Sequence, residues 1–140
     1  MEMGEKAEYR SAKRSRKLIK EAFVELMQEK DIKKITVTDI ITRADLNRGT
    51  FYAHYKNTEE LLQQIENEII NKMLDFLREF HHNNFFHNPM PILRKVENYI
   101  QENKDFLRIL VATKGSERFL LRLNRIFVEY LGNNQEIPKS

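Results

Sequence analysis

Residues 36–56 read TVTDIITRADLNRGTFYAHYK, and this stretch decides the fold. Thr36 has the chemistry of a helix N-cap, with Asp39 three positions on as a variant of the capping box. Asp39 also places negative charge near the positive end of the helix dipole. A short helix over Val37–Ala44 then turns Ile40, Ile41 and Ala44 inward. Asp45, Leu46 and Asn47 make a connection without glycine, in which Leu46 plugs the turn and Asn47 caps the next helix. That helix, Arg48–Tyr55, sets Phe51 and Tyr55 at i and i+4, a pair that can pack on the two helices before it. Arg48, Gly49, Thr50, Tyr52, Ala53 and His54 are left for solvent or a partner.

Working outward, the spacing of Leu18, Ala22, Phe23, Leu26 and Met27 predicts a first helix over about residues 12–29 with one buried stripe. Asp31–Lys34 reads as a polar connection. After Lys56, Asn57 or Thr58 caps a long fourth helix, Thr58–Phe80. Its apolar stripe runs through Leu61, Leu62, Ile65, Ile69, Met73, Leu77 and Phe80, and at 1.5 Å per residue it spans about 35 Å. The run HHNNFFHNPMP, His81–Pro91, breaks the pattern and reads as a loop. Three more helices are expected at Ile92–Glu102, Asp105–Thr113 and Ser116–Leu131, the last stopped by Gly132. Residues 132–140 read as a polar tail. The fold class is all-α: a three-helix helix-turn-helix head (residues 1–57) joined by the long fourth helix to a short helical C-terminal part (residues 58–140).

Composition agrees with a folded helical protein. Of the 140 residues 41% are hydrophobic and 32% charged, with 4 Gly and 3 Pro. There is no cysteine, which excludes disulfides and thiolate metal sites. No apolar run is long enough to span a membrane and the first residues lack a signal-peptide core, so the cytoplasm is the expected location. Charge is unevenly placed. Residues 1–56 hold 13 Lys or Arg against 9 Asp or Glu, the remainder 11 against 12, and six basic residues occur from Arg10 to Lys20 without an acid. Such an arm suggests a polyanionic partner at one end of the molecule.

A helix-turn-helix needs a first helix with a buried back, a turn of fixed angle and a second helix with a polar N-terminal half facing base edges. Arg48 can donate a bidentate pair to guanine, Asn47 can read adenine, and Thr50 can meet a thymine methyl or a phosphate. Gly49 lets the backbone approach the duplex closely. Thr36, Thr38, Tyr52 and Lys56 are placed for backbone phosphates, which position a protein without specifying sequence.

The order of basic arm, helix, ITVTDIITRADLNRGTFYAHYKNTEELL and long helix resembles the DNA-binding head of TetR-type (TetR/AcrR) transcriptional regulators over about residues 14–70. The resemblance implies phosphate or base contacts from Thr38, Arg48, Gly49, Thr50, Tyr52, His54 and Lys56, with Phe51 and Tyr55 in the core. It also implies double-stranded DNA as partner, a homodimer on a palindromic operator, a small-molecule effector bound among the C-terminal helices, and repression as the usual sign. Thr58 stands where many members have a basic residue, and those members usually continue well beyond this length. Met73, Leu77, Phe80, Phe106, Phe119, Leu123 and Phe127 are the candidate lining of an effector pocket, although helical spacing favours reading them as core.

Other chemistries find little support. His81, His82 and His87 invite a metal, but adjacent histidines on a helix diverge by about 100° and no Asp, Glu or Cys lies within the loop to complete a tetrahedral set. No cofactor motif and no catalytic constellation occurs: there is no phosphate loop, no HExxH and no paired carboxylates beside a histidine, so an enzyme is not expected. Two further readings use the same residues: a co-regulator that keeps the fold without reading DNA, and a basic amphipathic helix on anionic membrane. The first leaves the polar face of Arg48, Thr50, Tyr52 and Lys56 unexplained. The second rests only on the Arg10–Lys20 arm, and Phe23 and Leu26, which follow it, are better used in a core.

Overall fold

The computed structural model describes residues 2–82, 87–112 and 116–133, and every regular element among them is helical. Seven α-helices follow in order: α1 (Glu2–Glu29), α2 (Val37–Ala44), α3 (Arg48–His54), α4 (Thr58–His82), α5 (Met90–Glu102), α6 (Lys104–Ala112) and α7 (Ser116–Asn133), with a 3-10 turn at Ile32–Lys34 between the first two. No helix among the described residues is long and apolar enough to cross a membrane. The chain divides into two compact units, Met1–Ile65 and Glu66–Ser140, with the division falling inside α4.

In the first unit α1, α2 and α3 pack on one another. Ile19, Phe23, Ile40, Phe51 and Leu61 are fully buried there, with Ile65 nearly so. Removing one such side chain from water contributes about 1.5–3 kcal/mol, so five of them account for much of the drive to assemble a small head. The buried stripe of α1 is centred on Ile19, which the sequence reading passes over, and Leu18 is only half-buried on its flank. Tyr55, expected as the last residue of the third helix, is its C-cap in extended conformation and remains in the core.

Several ends differ from expectation for identifiable reasons. The first helix begins ten residues early, because Glu2–Ser11 holds three Glu together with Met, Lys, Ala and Arg, which favour helix without any apolar period. α4 runs two residues further, to His82, and α5 starts at Met90 with Pro91 in its first turn, where a missing N–H costs no hydrogen bond. Part of the expected loop, residues 83–86, lies outside the described residues, as does most of the expected polar tail. Gly132 does not stop α7, which continues to Asn133. It has no left-handed φ, and that conformation is what makes a glycine a stop.

In the second unit α6 packs on α5 and α7. Ile69, Ile70, Phe106, Ile109, Leu110 and Phe119 are its buried apolar residues. Lys95 Nζ reaches Glu79 at 2.5 Å, tying α5 to α4. Arg122 of α7 donates to Asn67 and lies 3.6 Å from Glu66, whose carboxyl is pushed up by burial against the opposing pull of Arg122 and Arg118.

Candidate nucleic-acid interface

The interface begins with two caps. Thr36 Oγ1 accepts from the Asp39 N–H at 3.1 Å, and Asp39 Oδ2 accepts in return from the Thr36 N–H at 3.0 Å, a complete capping box. Lys30 at the end of α1 donates to the same Asp39 oxygen at 2.8 Å. This ammonium, followed by the Thr36 N–H, holds the Asp39 carboxyl down at about 2. Arg43 grips Glu29 through two bonds of 2.7 Å, and this pairing lowers the Glu29 pKa and raises that of Arg43. Both ends of α2 are therefore fastened to the C-terminal end of α1.

The turn is made by Asp45, with φ 54° and ψ 50°, which closes α2 in left-handed conformation. Leu46 N–H then donates to the Ile41 carbonyl at 3.0 Å. The next cap is Asn47, whose Oδ1 accepts both the N–H and the hydroxyl of Thr50 at 2.8 Å. Cap and turn together fix where α3 starts and how it departs from α2.

On α3 the seven residues separate cleanly by side. Phe51 is fully buried, and Tyr55 just beyond the helix is nearly so. Arg48, Gly49, Tyr52 and Ala53 are exposed at i, i+1, i+4 and i+5, one continuous wet side. Thr50 and His54 are half-buried on the flank. Tyr52 is 50% exposed and is steadied by an edge-to-face contact with Phe51, centroids 5.5 Å apart. His54 is held below the usual histidine value, first by burial and then by the charge of Arg16 on α1. Arg48 Nη2 donates to Thr38 Oγ1 at 2.6 Å, so a side chain of α2 and one of α3 are joined across the turn. Lys56 is exposed, and its N–H donates to Glu60 Oε2 at 2.9 Å while Asn57 Oδ1 caps α4 through the Glu60 N–H.

All nine residues singled out in the sequence therefore lie within the first unit, and their availability differs. Arg48, Gly49, Tyr52 and Lys56 are open. Thr36 and Asn47 use their side-chain oxygens as caps, which leaves Asn47 its amide N–H₂ for a partner. Sequence reasoning missed the Arg48–Thr38 link, since ten residues separate the pair and no periodicity marks it. Ala53, which the sequence reading leaves for solvent or a partner, is exposed on the wet side, a small residue that gives the backbone room to approach a surface.

The other candidates are more dispersed. Phe106 and Phe119 are buried; Met73, Leu77, Leu123 and Phe127 are half-buried; Phe80 is exposed at 37%. The His81 ring lies 5.8 Å from that of Tyr130, and His87 is exposed. Among the described residues no three His, Asp, Glu or Cys come together to hold a metal.

The first unit is thus a helix-turn-helix head whose second helix presents a polar side to solvent. Residues 19–65 match the profile of the family described as "Bacterial regulatory proteins, tetR family". The chain is 35% identical over 109 residues to the HTH-type dhaKLM operon transcriptional activator DhaS of Lactococcus lactis subsp. lactis (strain IL1403), covering 76% of this chain and 54% of that protein. It is 38% identical over 65 residues to the uncharacterized HTH-type transcriptional regulator YxbF of Bacillus subtilis (strain 168), covering 46% and 17%. Among solved structures, a TetR transcriptional regulator from Streptococcus agalactiae 2603V superposes with a TM-score of 0.55 at 28% identity, over 83% of this chain and 61% of that one. The chain spans about half the length of the Lactococcus relative. Over residues 19–65 the head is thus similar to the tetR family of bacterial regulatory proteins.

Proposed function

We propose that the protein is a ligand-responsive transcriptional regulator that binds a palindromic operator as a homodimer, with the wet side of α3 in the DNA major groove. The observation that carries this reading is the placement of Arg48, Gly49, Tyr52 and Ala53 on one open side of a helix whose other side is anchored by Phe51 and Tyr55. Arg48 reads a base edge, while Tyr52, Lys56 and Thr38 meet phosphates. In a symmetric dimer two such heads address half-sites about 34 Å apart or a multiple of that. Residues 1–57 supply the DNA contacts and residues 58–140 the effector site and the dimer contacts, with Phe106, Phe119 and the half-buried residues around them lining the effector site. An effector that favours one setting of α4 shifts the population of heads able to reach both half-sites.

Repression is the sign we assign, since an occupied operator excludes other proteins without further machinery. The name of the Lactococcus relative, an activator, favours the opposite sign as a second reading. A reporter driven by the region upstream of the protein's own gene separates the two: expression rises on deletion of a repressor and falls on deletion of an activator.

Binding itself is tested with a labelled duplex from that region. Arg48→Ala is expected to weaken the preferred site by about 1–3 kcal/mol and to relax base preference at one position, whereas Lys56→Ala weakens all duplexes alike. Failure of the wild-type chain to bind any duplex, or indifference of binding to both substitutions, ends the reading.

A further inference from the structure

α1 is far longer than the head requires. Its first fully buried residue is Ile19, and everything from Gly4 to Ser11 is exposed. From Glu2 to Ile19 the helix extends about 25 Å at 1.5 Å per residue. This length is strongly and asymmetrically charged. On an α-helix Lys6, Arg10, Lys13, Arg14, Lys17 and Lys20 fall within an arc of roughly 120°, and the core residues Ile19, Ala22, Phe23 and Leu26 occupy the other side. Glu5 and Glu8 lie on the core side of the wheel, outside that arc, and Glu21 falls within it at the head end. Lys17 has only a 4.0 Å contact with Glu21, both side chains more than half exposed, and a pair of that kind is worth little. Arg10, Lys13 and Arg14 have no acidic partner among the described residues.

The stripe also has an address. Arg16 lies about 40° outside that arc, toward the core side, and its charge acts on His54 at the C-terminal end of α3. α1 packs on α3, the helix that presents Arg48 and Tyr52, and its cationic side extends beyond the packed segment, whose first fully buried residue is Ile19, toward the N-terminus. Positive charge concentrated at Arg10, Lys13 and Arg14, on a rigid rod of this length, complements a regular row of phosphates. A membrane surface is the poorer fit. An interfacial helix needs an apolar face to insert, and here Ile19, Phe23 and Leu26 are buried in the head, leaving Tyr9 as the exposed large apolar side chain of the segment among the described residues.

Resting on the DNA-binding reading above, we infer that the exposed N-terminal half of α1 is a second, sequence-independent DNA contact, in which Arg10, Lys13 and Arg14 bind backbone phosphates outside the major groove entered by α3. It lengthens the footprint of each head and adds to the salt dependence of binding without adding to base preference.

The test is a salt titration of duplex binding by the full chain, comparing wild type with R10Q/K13Q/R14Q, and with R10K/R14K as the charge-conserving control. Each lost phosphate contact reduces the slope of log K against log salt by about 0.9, so the triple variant is expected to lose about 2 to 3 from the slope and to bind roughly tenfold or more weakly near 0.1 M salt. The loss should be equal on preferred and scrambled duplexes, protection should shorten at the outer edge of the footprint, and R10K/R14K should bind as wild type. Circular dichroism should show an unchanged unfolding transition, because all three side chains are exposed. A triple variant with the wild-type slope, in a chain whose binding still depends on Arg48, overturns this inference and leaves the DNA-binding reading intact. Absence of duplex binding by the wild type removes both. Retention on phosphatidylserine vesicles that the triple substitution abolishes, with the duplex slope unchanged, assigns the stripe to membrane instead.

Discussion

Gly49 offers a test in which stability and function should move in opposite directions. It is the second residue of α3, on the wet side, and a Cβ built on it meets only Asn47 Oδ1, at 3.5 Å, an ordinary contact. Nothing in the fold therefore requires glycine there. In a helix interior alanine is favoured over glycine by about 1 kcal/mol, and in a first turn about half of that is a reasonable expectation. For a unit of this size ~0.5 kcal/mol corresponds to a rise of roughly 2–4 °C in Tm. The same methyl group projects into the surface proposed to approach the duplex, where a displaced contact of about 1–2 kcal/mol weakens Kd by roughly 5–30-fold. Thermal unfolding of Gly49→Ala followed by circular dichroism, alongside fluorescence anisotropy on the upstream duplex, reads both quantities from one preparation. A lowered Tm would refute the claim that the fold leaves this site open. An unchanged Kd would remove Gly49 from the interface.

Three further outcomes are expected. Asn47→Ala removes the acceptor for two hydrogen bonds from Thr50 and should destabilise the head by about 1 kcal/mol. Asn47→Asp keeps the acceptor and should retain stability, yet bind duplex more weakly because it adds negative charge; equal binding by the two proteins at low salt would contradict that placement. Asp39, held at about 2 against an ordinary 3.8, contributes stability that is full above about pH 4 and is lost as pH falls toward 2. Urea midpoints measured between pH 5 and 2 should show this acid loss, and Asp39→Asn should flatten it. On α7, Leu121 and Val128 are 66% and 59% exposed at i and i+7, a stripe suited to a second copy of the chain. Leu121→Glu with Val128→Glu is expected to shift sedimentation from dimer to monomer, and an unaltered sedimentation coefficient would place the dimer contact elsewhere.

The parts of the head that were legible in the sequence are the local ones. Thr36 with Asp39, and Asn47 with Thr50, act over three residues, so their spacing is visible in one turn of chain. Phe51 and Tyr55 are legible because the helical period puts them on one side. What joins one helix to another left no such mark. Lys30–Asp39, Arg43–Glu29 and Arg48–Thr38 are separated by nine to fourteen residues, and any of several surface charges satisfies composition equally well. The start of α1 was obscured for a different reason: a solvated helix has no apolar period, and only propensity reveals it. Pro91 and Gly132 were overread as punctuation, since proline is tolerated in a first turn and an L-residue-like φ lets glycine remain helical. The candidate effector side chains were legible only as apolar positions, because a helical period cannot distinguish a residue that lines a cavity from one that fills it.

The corner at Asp45 carries a mechanical implication. For a residue with a Cβ the left-handed basin is small and separated from its neighbours by steric walls, and occupying it costs about 1–2 kcal/mol. A joint of this kind has detents, unlike a free hinge: small forces leave its setting untouched, and leaving the basin abandons the geometry altogether. Clasped at both ends of α2 as well, the head behaves as a single tooled part. On the function proposed above, a signal that alters the hold on DNA would have to move the head as one piece, because the angle between α2 and α3 admits no fine adjustment.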